Sequence, residues 1–332
     1  MPLIDVKNLY KTFKVYEQQP GFTHAVKSFF KRDTRLVQAI QDLSFSIEAG
    51  ELVGFIGENG AGKSTTIKIM TGILYPTSGE VLVRGVRPYE HRKENARRIG
   101  VIFGQRSRLL WDLPMLDSFE LYREIYQVEP ALFRQNLDLF RDLLDMGDFM
   151  KTPVRQLSLG QRMKADIALA LLHSPQILYL DEPTIGLDVL AKSNIRRFIC
   201  ESNRLNQTTT LLTSHDMKDL DQVCSRVIMI TKGRLHFDGS IDAFKSRFGG
   251  EVRLKVTFMH NDLALDLDQM RVVEDNGPVK TICFQKQDLT LQQAMSAITG
   301  RYPVADISVT EADIEQIVKE LYQKNHEERK NE

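Results

Sequence analysis

The chain has 332 residues, enough for one large domain or two ordinary ones, and its 42% hydrophobic and 27% charged residues are usual globular proportions. Forty-four basic residues balance 44 acidic ones, which excludes a general attraction to nucleic acid or anionic lipid. The cysteines, Cys200, Cys224 and Cys283, are scattered without metal-ligand spacing and read as reduced, packed thiols of a reducing compartment. Met1-Pro2-Leu3-Ile4-Asp5 has no basic region leading into an apolar run, so no signal peptide is expected. The richest apolar stretches, such as Ile167 to Leu172, fall far short of the ~18 residues a spanning helix needs.

In chain order, Ile4 to Phe13 predicts a first strand, and Tyr16 to Gln38 a polar, basic insert. Ala39 to Ile47 alternates and ends at the turn Ala49-Gly50, before a short apolar strand at Glu51 to Ile56. A glycine-rich loop follows, then helical spacing from Ser64 to Leu74, a turn at Pro76 to Gly79 and a strand at Glu80 to Val83. Leu132, Phe133, Leu137, Phe140, Leu143 and Leu144 recur at helical spacing within a helix-rich stretch, about Leu116 to Met150. Ile177 to Leu180, Leu211 to Ser214 and Val227 to Ile230 are short apolar runs of the kind buried parallel strands make. Beyond Ser240 the pattern changes. Val252 to Phe258 alternates, Val279 to Phe284 is a strand candidate, and Leu291, Met295 and Ile298 mark a helix. Ile314, Ile317, Val318 and Leu321 predict an amphipathic final helix that starts near Thr310 or Glu311.

Gly57-Glu58-Asn59-Gly60-Ala61-Gly62-Lys63-Ser64 matches G-x-x-x-x-G-K-[ST], with a strand before it and a helix after it. Glycines let backbone N–H groups converge on one phosphate chain, and the helix adds its positive end. Lys63 is expected to reach the β- and γ-phosphates, and Ser64, followed by Thr65, to ligate Mg²⁺. The strand Ile177 to Leu180 runs into Asp181-Glu182-Pro183. Asp181 at a strand end suits the metal's water shell, and Glu182 suits the polarisation of an attacking water.

Many nucleotide hydrolases share those two elements. Leu157-Ser158-Leu159-Gly160-Gln161, about twenty residues before Asp181, discriminates among them. Here the sequence resembles the ABC (ATP-binding cassette) ATPases, whose signature reads L-S-G-G-Q, over roughly residues 1–240. Gln105 fits the family's Q-loop, Gly186-Leu187-Asp188 its D-loop, His215 its switch histidine, and Phe13 the aromatic that stacks on adenine, with Tyr10 and Tyr16 as alternatives. The resemblance implies that Glu182, His215 and Gln105 act in catalysis, and that Ser64, Gln105 and Asp181 hold the metal. It implies that Ser158, Gly160 and Gln161 close on the γ-phosphate held by a second ATPase subunit. Leu159 departs from the family's glycine, whereas Ser158 and Gly160 are retained.

The fold expected is α/β: a P-loop NTPase core of mixed, mainly parallel sheet with a helical subdomain inserted at about 106–165, together the cassette 1–240. A small C-terminal α+β domain, 241–332, is expected to serve dimerisation or regulation. Arg106 to Pro114 holds the single tryptophan, Trp111, beside Leu109, Leu110 and Leu113; it reads either as the docking surface for a membrane subunit or as packing inside the helical subdomain. Within the insert, Val26, Phe29 and Phe30 with Lys27, Lys31 and Arg32 outline a short basic amphipathic helix. The insert, the signature and the tail Asp306 to Val318 are similar to ABC-2-type exporter ATPases. The implied setting is the cytoplasmic face of the cell membrane, as a homodimer bound to a separate permease, with no nucleic acid. The competing functions are a soluble ABC ATPase acting on nucleic acid or ribosomes, and a P-loop kinase.

Overall fold

The computed structural model describes residues 1–16, 34–104, 107–214, 216–248, 251–260, 265, 267–285, 288–311 and 318. The chain divides into two compact units, Met1–Gly239 and Ser240–Glu332.

The first unit holds two sheets. Strands β1 (Ile4–Tyr16), β2 (Thr34–Ile47) and β4 (Ser78–Val83) form an antiparallel sheet in the order β2-β1-β4. The second sheet has six strands: β3 (Leu52–Ile56), β5 (Ile99–Phe103), β6 (Ile177–Asp181), β7 (Thr209–Thr213), β8 (Arg226–Thr231) and β9 (Arg234–Ser240). Their order is β5-β6-β7-β3-β8-β9, with parallel pairing from β5 through to β8. Such strands are covered on both faces, which explains runs like Ile177-Leu178-Tyr179-Leu180 with every residue buried. Helix α1 (Lys63–Met70) packs Ile67, Ile69 and Met70 into one core with Ile4, Leu9, Ile40 and Leu43 of the antiparallel sheet and Val53, Phe55 and Ile228 of the parallel one.

Helices join the strands: α2 (Arg92–Ala96), α3 (Met115–Tyr126), α4 (Pro130–Leu144), α5 (Leu159–Leu171), α6 (Val189–Asn206) and α7 (Met217–Val223). Helices α3 and α4 and two short 3₁₀ turns stand between β5 and β6 as the inserted helical subdomain. Leu143 notwithstanding, α4 presents Phe133, Asn136, Phe140 and Leu144 inward, the three-four spacing that its sequence carries.

The second unit contains α8 (Ile241–Phe248), β10 (Glu251–Phe258), β11 (Met270–Asn276), β12 (Val279–Gln285), α9 (Leu291–Arg301) and β13 (Val304–Glu311). Its antiparallel sheet runs β11-β12-β10-β13. Val252, Leu254, Val256 and Phe258 face Ala294 and Ile298 of α9 in a separate core.

Three expectations are corrected. The polar insert begins later and ends earlier than Tyr16 to Gln38: Tyr16 pairs with Thr34, and Thr34 to Gln38 already belongs to β2. Leu36 and Val37 are exposed there, so no one-sided alternation announces the strand. Helix α1 stops at Met70 rather than Leu74, because Gly72 adopts φ 80° against the Pro88 backbone. Thr310 and Glu311 close β13, opposite Arg253 and Val252, and do not start a helix. The amphipathic segment at 24–32 and the final helix beyond 311, apart from Val318, lie outside the described residues.

Candidate functional site

The C-terminal ends of parallel strands leave their last carbonyls and side chains on one edge, where crossover loops begin. From β3 the chain enters residues 57–62 and turns into α1. Gly62 caps α1 at φ 106°, and a Cβ there would stand 2.6 Å from the Ala39 carbonyl. A Cβ at Gly57 would meet the Ile230 carbonyl at 2.4 Å, while Gly60, at φ 81°, is open on every side. Two glycines are therefore demanded by packing and the third by its backbone conformation. None of the described residues in the first turn of α1 is acidic, so its positive end is not neutralised from within.

Ala61 is buried and tied down by the Gly233 N–H, which donates to its carbonyl at 3.0 Å. Lys63 is buried too, and its Nζ donates to the carbonyls of Gly57 at 2.6 Å and Glu58 at 3.2 Å. Burial draws the ammonium below its usual range, and the negative charges of Glu182, Asp181 and Glu58 oppose that shift. The strand-end acids thus act electrostatically on the loop lysine. Asn59 is exposed, and Ser64 and Thr65 are half-buried in the first turn.

Asp181 ends β6 and Glu182 follows at φ 57°, a conformation rare for a residue with a side chain. Thr213, at the end of β7, holds both. Its hydroxyl donates to Asp181 Oδ1 at 2.7 Å and accepts from the Glu182 N–H at 3.0 Å, while its carbonyl accepts from that N–H at 3.1 Å. The sequence reading passes over Thr213, since a lone threonine has no spacing to betray it. Ser64 and Asp181 line one cleft of about 730 Å³, which continues past Phe103, Gly104 and Arg108 to Tyr126. A hydroxyl and a carboxylate at one end of a cleft form an oxygen donor set suited to Mg²⁺.

Ser158, exposed, caps α5. Its Oγ accepts from the Gln161 N–H at 3.1 Å, and the Gln161 Oε1 accepts from the Ser158 N–H at 2.9 Å. The hydroxyl thus keeps its own proton to donate. A Cβ at Gly160 would lie 3.3 Å from the Ala191 Cβ, so the helix tip packs close against the start of α6. Leu159 is half-buried. Asp188, of Gly186-Leu187-Asp188, caps α6 by accepting from the Ala191 N–H at 2.8 Å. Nearby Ile185, Val189 and Leu190 are exposed.

Phe13 is half-buried on β1 opposite Val37, with the Lys11 ammonium 5.1 Å from its ring centre. Trp111 is 52% exposed and carries the Arg162 guanidinium 4.7 Å from its ring centre, so it does not pack inside the helical subdomain. Gln105 and His215 lie outside the described residues. Their neighbours are placed: the Gly104 N–H donates to the Asp181 carbonyl at 2.9 Å, and Ser214 is buried behind the site.

A glycine cradle after a parallel strand, a buried lysine facing strand-end acids and a capped helix tip define a P-loop nucleotide hydrolase. The family model described as ABC transporter matches residues 40–185. The ABC transporter ATP-binding protein NatA of Bacillus subtilis (strain 168) is 34% identical over 214 residues, 64% of this chain and 87% of that protein. The mouse protein named cholesterol transporter ABCA5 is 27% identical over 98% of this chain, which spans 20% of that relative's length. The solved dimeric bacterial ABC transporter cassette MJ0796 aligns with TM-score 0.57 and 25% identity, over 72% of this chain and 98% of that one.

The chain belongs to the ATP-binding proteins of ABC transporters. It is an ATPase whose nucleotide is ATP. Among the described residues, no helix is long and apolar enough to cross a membrane.

Proposed function

We propose that this chain pairs with a second copy around ATP and drives a separate membrane permease of the ABC-2 exporter type from the cytoplasmic face. The observation that carries the reading is the presence in one chain of two half-sites: the Lys63 cradle and the exposed, capped tip at Ser158. A homodimer then makes two complete sites. The dimeric cassette MJ0796 supports that arrangement.

In each site the amides of Gly57 to Ser64, with Thr65 beside them, bind the phosphates, and Lys63 exchanges its carbonyl partners for phosphate oxygens. Ser64, Asp181 and Gln105 would hold Mg²⁺, which would supply neutralisation of the phosphate charge. Glu182 orients the attacking water, and His215 and Gln105 act with it in catalysis. Ser158, Gly160 and Gln161 of the second copy donate to that phosphate from a helix N-terminus. Phe13 stacks on adenine.

The permease docks on the helical subdomain around Trp111. The exposed Trp111 and Leu113 and the cleft between Ile73, Arg108 and Tyr126 support this surface. The signature Leu157 to Gln161, the insert and the tail support the exporter type. The match to ABCA5 over nearly the whole chain supports an amphipathic cargo. The second unit, Ser240–Glu332, serves the dimer or its regulation. Purification of the tagged chain from its native membranes tests the assignment. A stoichiometric hydrophobic subunit is expected, lost on Trp111→Glu; recovery of ribosomes or nucleic acid in its place would contradict it.

A further inference from the structure

Asp219 lies on α7, outside every nucleotide motif, and is completely buried. Carboxylates are rarely enclosed unless fully partnered. Its Oδ2 accepts two hydrogen bonds, from the Thr184 hydroxyl and from the Ser214 hydroxyl at 2.9 Å. Its Oδ1 takes no hydrogen bond from the described residues and has the Arg196 Nε at 3.6 Å as its charge partner. Thr184 and Ser214 are themselves buried.

The three partners come from three functional segments. Thr184 is two residues beyond Glu182. Ser214 immediately precedes His215, and its Oγ also accepts from the Asp216 N–H at 3.0 Å. Arg196 belongs to α6, the helix capped by Asp188. A second strut runs alongside: Lys192 of α6 pairs with Asp216 at 2.6 Å. Ser214 and Asp216, the sequence neighbours of His215, are thus held by Asp219 of α7 and by Lys192 of α6 respectively.

The geometry points to Asp219 as a positioning residue for ATP hydrolysis. By gathering the Thr184 and Ser214 hydroxyls on one oxygen, it sets the spacing between the turn that carries Glu182 and the segment that carries His215. Arg196 anchors that pair to the helix behind Asp188. The inference rests on the roles proposed for Glu182 and His215. Both hydroxyls use the same oxygen, while the other oxygen carries the charge that faces Arg196.

The experiment measures kcat and KM for ATP, with nucleotide affinity by direct titration, on folded full-length variants. Asp219→Ala is expected to lower kcat about 100-fold, the scale of a misplaced catalytic group. Its ATP affinity should stay within about twofold, since the phosphate cradle is untouched. Thr184→Val combined with Ser214→Ala removes the two donors and leaves the carboxylate in place, and should reproduce the loss even if Asp219→Ala does not fold. A wild-type kcat in either the alanine variant or the double variant would overturn the inference. Glu182→Gln, assayed in parallel, separates the two levels. An inactive Glu182→Gln beside a fully active Asp219→Ala removes only the positioning role, whereas an active Glu182→Gln removes the site reading itself.

Discussion

Lys63 is held in the interior by two carbonyls that a phosphate chain would replace. Charge-assisted hydrogen bonds of this kind contribute ~1.5–3 kcal/mol each. Lys63→Ala is therefore expected to weaken ATP binding by about 10- to 100-fold, and isothermal titration checks it; an unchanged affinity would refute the assigned role. Glu182 has a different character. Its positive φ is a strained conformation, costing ~1–3 kcal/mol, held by the double acceptance of its N–H at Thr213. Thr213→Val should leave the carbonyl bond, lose the hydroxyl bonds to Asp181 and Glu182, and slow hydrolysis more than it weakens binding. At this scale the cradle was legible in the sequence, because eight positions of fixed spacing bracket a strand and a helix. Thr213 and Asp219 were not, since each acts through one oxygen and leaves no pattern along the chain.

Among the elements, α5 links local chemistry to the proposed dimer. Its capping box satisfies helix-end donors that would otherwise be open, and Ser158→Ala should cost ~1 kcal/mol of stability, measurable in a thermal melt. The other end of α5 leads to His173, whose Nε2 lies 3.1 Å from the Ile99 carbonyl and whose ring stacks on Tyr126 at 4.0 Å. Burial lowers the His173 pKa to about 4 from the usual 6.5 of an imidazole. The unfolded chain thus takes up this proton first as pH falls, so stability declines between pH 6.5 and about 4 and levels off below. His173→Gln should flatten that part of the melting-temperature profile; an identical slope in the variant would contradict the link. Strands such as β6 and β7 were legible as uninterrupted apolar runs. The long helix α6 is not legible in the sequence: exposed Val189 and Leu190 at its start blur the inward stripe of Ala191, Ile195, Phe198, Ile199 and Ser202. The strand residues Arg35 to Gln38 are obscured for a similar reason, exposed side chains on both faces of a hairpin.

In the whole molecule, the division after Gly239 coincides with the loss of the apolar parallel-strand pattern, and each unit has its own buried cluster. A chain ended after Gly239 is expected to bind ATP with unchanged affinity, so that any defect falls on dimer stability or control of turnover. The central claim is that ATP joins two copies, cradle to signature tip. It is tested most directly by light scattering on Glu182→Gln with and without ATP and Mg²⁺, alone and combined with Ser158→Arg. The account predicts a doubled mass with nucleotide for Glu182→Gln, and a monomer that still binds ATP once Ser158→Arg is added. An unchanged mass in the first case, or an ATP-dependent dimer that survives the arginine in the second, would contradict it.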